Sequence, residues 1–376
     1  MIKILELFGG IGAPRKALQR LGYEVQVVDY VEIDAPAVKS YNAIYKAAYE
    51  TQDIIKWNKD VKVDMIFHGS PCQDFSLAGK QAGGDEGSGT RSSLLYETVR
   101  IVQKLQPKYV IWENVKNILS QKHRHNFDNY LSEMEKLGYT NYYQVLNAKD
   151  YGIPQNRERV FTISILGNDK FKFPPEKELK LRLKDMLEGE VDEKYYLSED
   201  KIFSISHWKA YKKPFEKVQG KNSIVPTLTA RGAGEEHSGM ITYSDSLDNT
   251  TNLQEQCLCI KEATKRGYKE AYDGDSVNLA YPDSETRRGR VGEQVSQTLQ
   301  CNDSMGVVEI PRIRKLTPKE CWRLMGFDDV DFEKASQVNS NAQLYKQAGN
   351  SIVVQVLEAI FRELLEVDKC EKENKK

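Results

Sequence analysis

The first 170 residues alternate short apolar runs with segments of helical spacing, and this alternation leaves few architectures open. Apolar or β-branched runs fall at residues 2–8, 25–31, 63–68, 108–112 and 159–166, and helical patterns at 14–21, 92–105 and 126–137. Strands that alternate with helices form βαβ units, with a parallel sheet covered by helices. The expected fold class is therefore α/β, with a Rossmann-like first domain. Near Phe173-Pro174-Pro175 the alternation stops, and to about residue 310 the chain is polar and rich in Gly, Ser, Thr and Asn. This stretch reads as a second, smaller domain, richer in β-structure and loops. Beyond it, Thr317, Pro318 and Glu320 sit where an N-cap, a first helical residue and a capping-box partner belong. Residues 352–366 carry an amphipathic helical pattern, and the lysine-rich end from Lys369 is expected to fray.

A chain of 376 residues is long enough for two cored domains. No apolar stretch approaches the length of a membrane span, and the start has no signal-peptide pattern. The six cysteines (72, 257, 259, 301, 321 and 370) are scattered, and none forms a pair with zinc-site spacing. Reduced thiols, a cytoplasmic setting and no metal are expected. The net charge of −1 excludes a polycation, so any nucleic-acid surface must be local.

Two segments carry chemistry. Gly69-Ser70-Pro71-Cys72-Gln73-Asp74-Phe75-Ser76 follows the strand-like Met65-Ile66-Phe67. A cysteine in a turn at a strand exit is placed like a nucleophile, although free cysteine is equally a common core residue. Leu5-Glu6-Leu7-Phe8-Gly9-Gly10-Ile11-Gly12 is a strand running into a glycine-rich turn. Glycines there admit positive φ and close approach to a ligand. No Gly-Lys-Ser/Thr follows, so it is not a P-loop. Glu32 at the end of the second strand suits a ribose hydroxyl pair, and Asp53 could accept from an exocyclic amine. A dinucleotide site, a nucleoside site and a plain tight turn remain open on these residues alone.

Four further segments join them: Trp112-Glu113-Asn114-Val115, Gln155-Asn156-Arg157-Glu158-Arg159, the run Leu316 to Phe327, and Gln347-Ala348-Gly349-Asn350-Ser351. In this order, with the glycine loop and the Pro-Cys-Gln turn, the chain resembles the DNA (cytosine-5)-methyltransferases of bacteria and phages. The resemblance thins between about 172 and 310. It implies a catalytic S-adenosylmethionine-binding domain at 1–171, completed by 331–376, and a target-recognition domain at 172–330.

The family's chemistry is covalent catalysis on a flipped base. The resemblance implies Cys72 as nucleophile on carbon 6 of cytosine, Glu113 on ring nitrogen 3 and the exocyclic amine, and Arg159 on the target base. Cofactor contacts carry over to Phe8, Gly10, Gly12, Glu32, Ile33, Asp53, Ile54, Leu94, Asn350 and Ser351. Ile33 stands where the family often has an aromatic residue, and Ala13-Pro14 follows the glycine turn where another small residue is common. The glycine-rich stretch 74–93 corresponds to a loop that closes over DNA. Expected DNA contacts are Gln73, Ser76, Arg157, Thr227, Arg231, Arg288 and Thr298, with Lys221, Arg287, Arg290, Arg312 and Arg314 as further candidates. Thr227-Leu228 and Thr298-Leu299 both match the family's Thr-Leu pair, and the segments around them are weakly similar to each other.

The expected reaction is methyl transfer from S-adenosylmethionine to carbon 5 of cytosine in a specific duplex sequence. A tRNA cytosine-5 methyltransferase and an inactive S-adenosylmethionine- or DNA-binding relative are the alternatives. A zinc cytosine deaminase fails, because His68 and Cys72 lack its His-x-Glu and Cys-x-x-Cys partners. The protein is expected to act as a monomer on double-stranded DNA, in a bacterial cell or phage-infected host. A restriction endonuclease would be a functional rather than a physical partner.

Overall fold

Strand β1 (Ile2–Leu7) buries Ile4, Leu5 and Leu7 completely. Apolar side chains on both faces mark a central strand of a helix-covered parallel sheet. It lies between β2 (Val25–Val31) and β3 (Met65–His68), parallel to both, and β4 (Tyr109–Val115) continues the parallel set beyond β3. The six-stranded order is β2-β1-β3-β4-β7-β5, in which β5 (Tyr139–Asn147) and β7 (Glu158–Leu166) run antiparallel. A two-residue strand, β6 (Gln155–Asn156), precedes β7. The computed structural model describes residues 1–71, 94–198, 257–282, 284, 286–309 and 312–374.

Helices α1 (Ala13–Arg20), α2 (Ala35–Tyr45), α3 (Leu95–Leu105) and α4 (Arg124–Lys136) connect the strands. Helix α1 begins after Gly12 in the left-handed region (φ 78°), with Pro14 in its first turn, as the sequence predicts. The main core gathers Leu5, Leu7, Ile66, Trp112, Phe127 and Tyr130 between sheet and helices. The chain returns late to the same unit with α5 (Pro318–Leu324), α6 (Asp329–Ser336), α7 (Asn341–Asn350) and α8 (Val354–Asn374). Helix α8 packs on α1, and it continues to Asn374, past Lys369 where fraying is expected. A complete capping box forms at α6, between Asp328 and Asp331.

Two compact units result. The first comprises Met1–Met186, Thr298–Asp303 and Pro318–Lys376, and the second Leu187–Gln297 and Ser304–Thr317. The second unit contains a hairpin, β8 (Leu258–Lys261) with β9 (Tyr268–Ala271). It also has an antiparallel sheet in the order β11-β10-β13-β14, from β10 (Ser276–Asn278), β11 (Val291–Gly292), β13 (Met305–Glu309) and β14 (Arg312–Lys315). The short β12 (Ser296–Gln297) lies between β11 and β13 in the chain. Leu258, Ile260, Val277, Val291, Val308 and Ile313 form this unit's core.

Candidate active site

The parallel strands end in register. Leu7 pairs with Val31 on one side and His68 on the other, and His68 pairs with Trp112. The residues that follow, Phe8, Glu32, Gly69 and Glu113, therefore share the carboxyl edge of the sheet. That edge is where open α/β sheets bind ligands.

Register also builds the acid–base pair. Glu113 lies opposite Phe161, and Arg159 is two residues back on the same face of β7. Arg159 Nε meets Glu113 Oε1 at 3.0 Å. Burial pushes the Glu113 carboxyl above its ordinary range, while the charges of Arg159 and Arg157 pull the other way. Burial favours the protonated form of this carboxyl, and that form can donate to a ring nitrogen. A Cβ added at Gly69 would lie 3.8 Å from Glu113 Oε2, so the β3 exit runs directly beside the carboxylate.

The turn after β3 is clamped from below. Trp112 Nε1 donates to Ser70 Oγ at 3.0 Å, and Asn114 Nδ2 reaches the Ser70 carbonyl at 3.5 Å. His68 Nε2 lies 3.2 Å from the Tyr130 hydroxyl, and burial alone lowers its pKa to about 3, so the imidazole is neutral. Cys72, Gln73 and Ser76 lie outside the described residues, as does the 74–93 stretch up to Leu94. The roles of Ser70 and Asn114 escape sequence reading because each depends on a partner more than 40 residues away.

At the glycine loop, Phe8, Gly10 and Gly12 all have positive φ. The Glu32 carboxylate accepts from Gly10 N at 3.0 Å and Asp34 N at 2.9 Å. Ile33 is 70 % exposed beside it, an aliphatic surface at the lip. Asp53 Oδ1 accepts from Ile55 N, whereas Ile54 is buried in the main core. Leu94 is half-buried against that same core. Asn350 Oδ1 accepts from the Cys301 thiol at 2.8 Å, and Ser351 is buried.

Arg157 stands differently from its expected role as a DNA contact. It is only 4 % exposed, and its guanidinium donates to the carbonyls of Leu299, Gly349 and Ser351. It fixes the segment carrying Asn350, because a fork of donors suits converging carbonyls. Gln155, fully buried, works alongside it by accepting from Leu299 N and donating to the Leu324 carbonyl. Thr298 donates to the Asn156 carbonyl and belongs to the first unit.

In the second unit, Arg290 and Arg314 are fully buried. Arg290 donates to the carbonyls of Asn278, Ala280 and Tyr281, and Arg314 pairs with Glu309. Neither faces solvent, because each neutralises carbonyls or a carboxylate inside a small core. Arg288 is exposed, and Arg287 lies 5.6 Å over the ring of Tyr281. Thr227, Arg231 and Lys221 lie outside the described residues.

Residues 2–366 match the family model of the C-5 cytosine-specific DNA methylases. The chain belongs to that family. It is 32 % identical to the type II methyltransferase M2.ScrFI of Lactococcus lactis subsp. cremoris, over 97 % of this chain and 99 % of that protein. It is 29 % identical to the orphan methyltransferase M.Rho11sI of Bacillus phage rho11s, over 97 % and 98 %. In fold it resembles the Entamoeba histolytica methyltransferase EhMeth, with a TM-score of 0.60 and 16 % identity over 97 % and 98 % of the two chains. The protein is thus a DNA (cytosine-5)-methyltransferase, of mixed α/β fold with additional small sheets.

Enzymes of this kind draw the methyl group from S-adenosylmethionine, and the loop fits such a group on its own terms. Positive-φ glycines keep the turn free of side chains, a half-buried carboxylate stands at the second strand end, and an exposed aliphatic side chain adjoins it.

Proposed function

We propose that this enzyme transfers a methyl group from S-adenosylmethionine to carbon 5 of cytosine within a specific sequence of duplex DNA, acting as a monomer. The single observation that carries the reading is the Glu113–Arg159 pair at the sheet edge, 3.0 Å apart and beside the exit of β3 that leads to Cys72.

A stacked base cannot present carbon 6 to a thiolate, so the target cytosine must leave the helix. The Cys72 thiolate adds to carbon 6 while Glu113, protonated, donates to ring nitrogen 3. The electron pair released to carbon 5 makes that atom nucleophilic. The cofactor supplies an electrophilic methyl group there. Loss of the carbon 5 proton to a base then expels the thiolate, and ring nitrogen 3 returns its proton to Glu113 as the aromatic ring is restored. Arg159 orients Glu113 and faces the base.

Phe8, Gly10, Gly12, Glu32, Ile33, Asp53, Ile54, Leu94, Asn350 and Ser351 would hold the cofactor. Catalysis falls to 1–171 with 331–376, and sequence reading to 172–330, where exposed Arg288 is a phosphate or base contact. Gln73, Ser76, Thr227 and Arg231 remain proposed DNA contacts. The name of the Lactococcus lactis relative supports a restriction–modification setting, with a cognate endonuclease as functional partner.

The test is base-resolution methylation sequencing of unmethylated DNA after incubation with the protein and S-adenosylmethionine. Carbon 5 marks confined to one short motif are expected. Absence of marks on duplex DNA, with tRNA modified instead, would overturn the substrate assignment.

A further inference from the structure

Behind the glycine loop sits a cluster of four tyrosines. Tyr41 and Tyr45 lie one turn apart on α2, Tyr49 follows that helix, and Tyr30 comes from β2. Tyr30 stacks on Tyr41 with ring centroids 3.9 Å apart, Tyr41 meets Tyr45 at 4.7 Å, and Tyr49 lies 5.4 Å from Tyr30. Arg15 of α1 covers the Tyr45 ring at 4.4 Å.

Two of these hydroxyls reach the loop. Tyr30 donates to the Gly10 carbonyl at 2.7 Å and Tyr45 to the Gly12 carbonyl at 2.7 Å. The other two do not: Tyr41 donates to Glu6 Oε2 and Tyr49 to the Val27 carbonyl. The fit is reciprocal. A Cβ at Gly9 would come within 2.6 Å of the Tyr30 ring, and one at Gly12 within 2.6 Å of Tyr45 and 2.7 Å of Tyr41. The loop is glycine there because the rings occupy the space side chains would need.

In a trans peptide the carbonyl of one residue and the N–H of the next point in opposite directions. A hydroxyl that holds the Gly10 carbonyl thus turns the Ile11 N–H away from the rings, and Tyr45, together with Lys16 N in the first turn of α1, holds the Gly12 carbonyl and does the same for the Ala13 N–H. The Gly10 N–H is already fixed, on Glu32. The Gly10 N–H and the Gly10 and Gly12 carbonyls are thus set before any ligand arrives, which removes part of the ordering cost of binding.

We propose that Tyr30 and Tyr45 are positioning residues for the methyl donor. Their hydroxyls preorganise the glycine loop for the nucleoside part of S-adenosylmethionine without touching it. The inference rests on the cofactor reading above. Tyr41 and Tyr49 belong to the same ring cluster, but their hydroxyls bind Glu6 and the Val27 carbonyl rather than the loop.

The experiment is calorimetric titration of S-adenosylmethionine and S-adenosylhomocysteine into the full chain and into Tyr30→Phe, Tyr45→Phe and Tyr49→Phe. Each phenylalanine keeps the ring and removes one hydroxyl. Loss of a loop-ordering hydrogen bond should weaken both ligands about 3- to 10-fold in Tyr30→Phe and Tyr45→Phe. KM for the methyl donor should rise in step, with kcat at saturating cofactor within about twofold of wild type. Tyr49→Phe loses a hydrogen bond in the same cluster and should keep wild-type affinity.

Equal weakening in all three variants would mean general loosening and would overturn the proposal. So would wild-type affinity in Tyr30→Phe and Tyr45→Phe. Should either variant fail to fold, amide exchange at residues 9–13 in the other decides, with faster exchange than in Tyr49→Phe expected. A wild-type chain that binds neither ligand overturns the cofactor reading and this inference together. Tight wild-type binding with unaffected variants overturns the inference alone.

Discussion

Two buried carboxylates, Glu6 and Glu113, show how neighbours decide what an acidic residue does. Burial raises the Glu6 pKa to about 7, against the opposing pull of the Tyr41 hydrogen bond and of Arg15. A carboxyl whose native pKa exceeds its unfolded value favours the native state below the unfolded value, and that advantage is lost as pH rises through the native one. Stability should therefore fall between pH 4.5 and about 7, by an amount on the order of 3 kcal/mol. Glu6→Gln should flatten that slope, which thermal unfolding across this pH range would measure. Glu113→Gln cannot give a proton to the base and should lower turnover about 10²- to 10⁴-fold while the melting temperature stays within a few degrees. An unfolded Glu113→Gln would mean that the carboxylate is structural. Cys72→Ala should abolish methylation and leave S-adenosylmethionine binding intact, and substantial residual methylation would refute the covalent route. The sequence makes Cys72 and Glu113 legible because their chemistry resides in residue type and local motif. It hides Ser70 and Tyr45, whose roles come from partners that only folding supplies.

At the level of elements, most of the sheet can be read from apolar runs, because its parallel strands are buried on both faces. Strand β5 escapes that reading. Its sequence, Tyr-Thr-Asn-Tyr-Tyr-Gln-Val-Leu-Asn, is largely polar, and it pairs only at the sheet edge, where most of its side chains stay partly exposed. Helix α2 hides for another reason: its buried stripe mixes Val38 and Ile44 with alanine, serine and tyrosine, so the aliphatic pattern is diluted. The segment after β6 shows how an element can recast a charged residue. Arg157 reads as a nucleic-acid contact in sequence, yet it bridges three backbone carbonyls inside the first unit. Arg157→Ala should destabilise by about 3 kcal/mol, because buried carbonyls lose charged donors, and urea unfolding would measure it. A residue on phosphate would instead leave stability unchanged and reduce the salt slope of DNA binding by about one.

Over the whole molecule, the first unit is assembled from both ends of the chain. Arg20 of α1 pairs with Glu358 of α8, and Ser40 donates to Gln347, more than 300 residues away. Truncation after Thr317 removes α5 to α8 and bares α1 and the support of the glycine loop. The first unit of such a chain should lose cooperative unfolding, read by amide exchange across β1 to β4, while wild-type protection there would show that it holds without α5 to α8. The sequence by itself determined the α/β class, the reaction family and the ordered motifs, because hydrophobic period and local residue chemistry survive in one dimension. Only the tertiary structure decided which arginines face inward, which hydroxyls hold the glycine loop and where Thr298 belongs. Those outcomes depend on burial and on partners far apart in the chain, which no local pattern encodes.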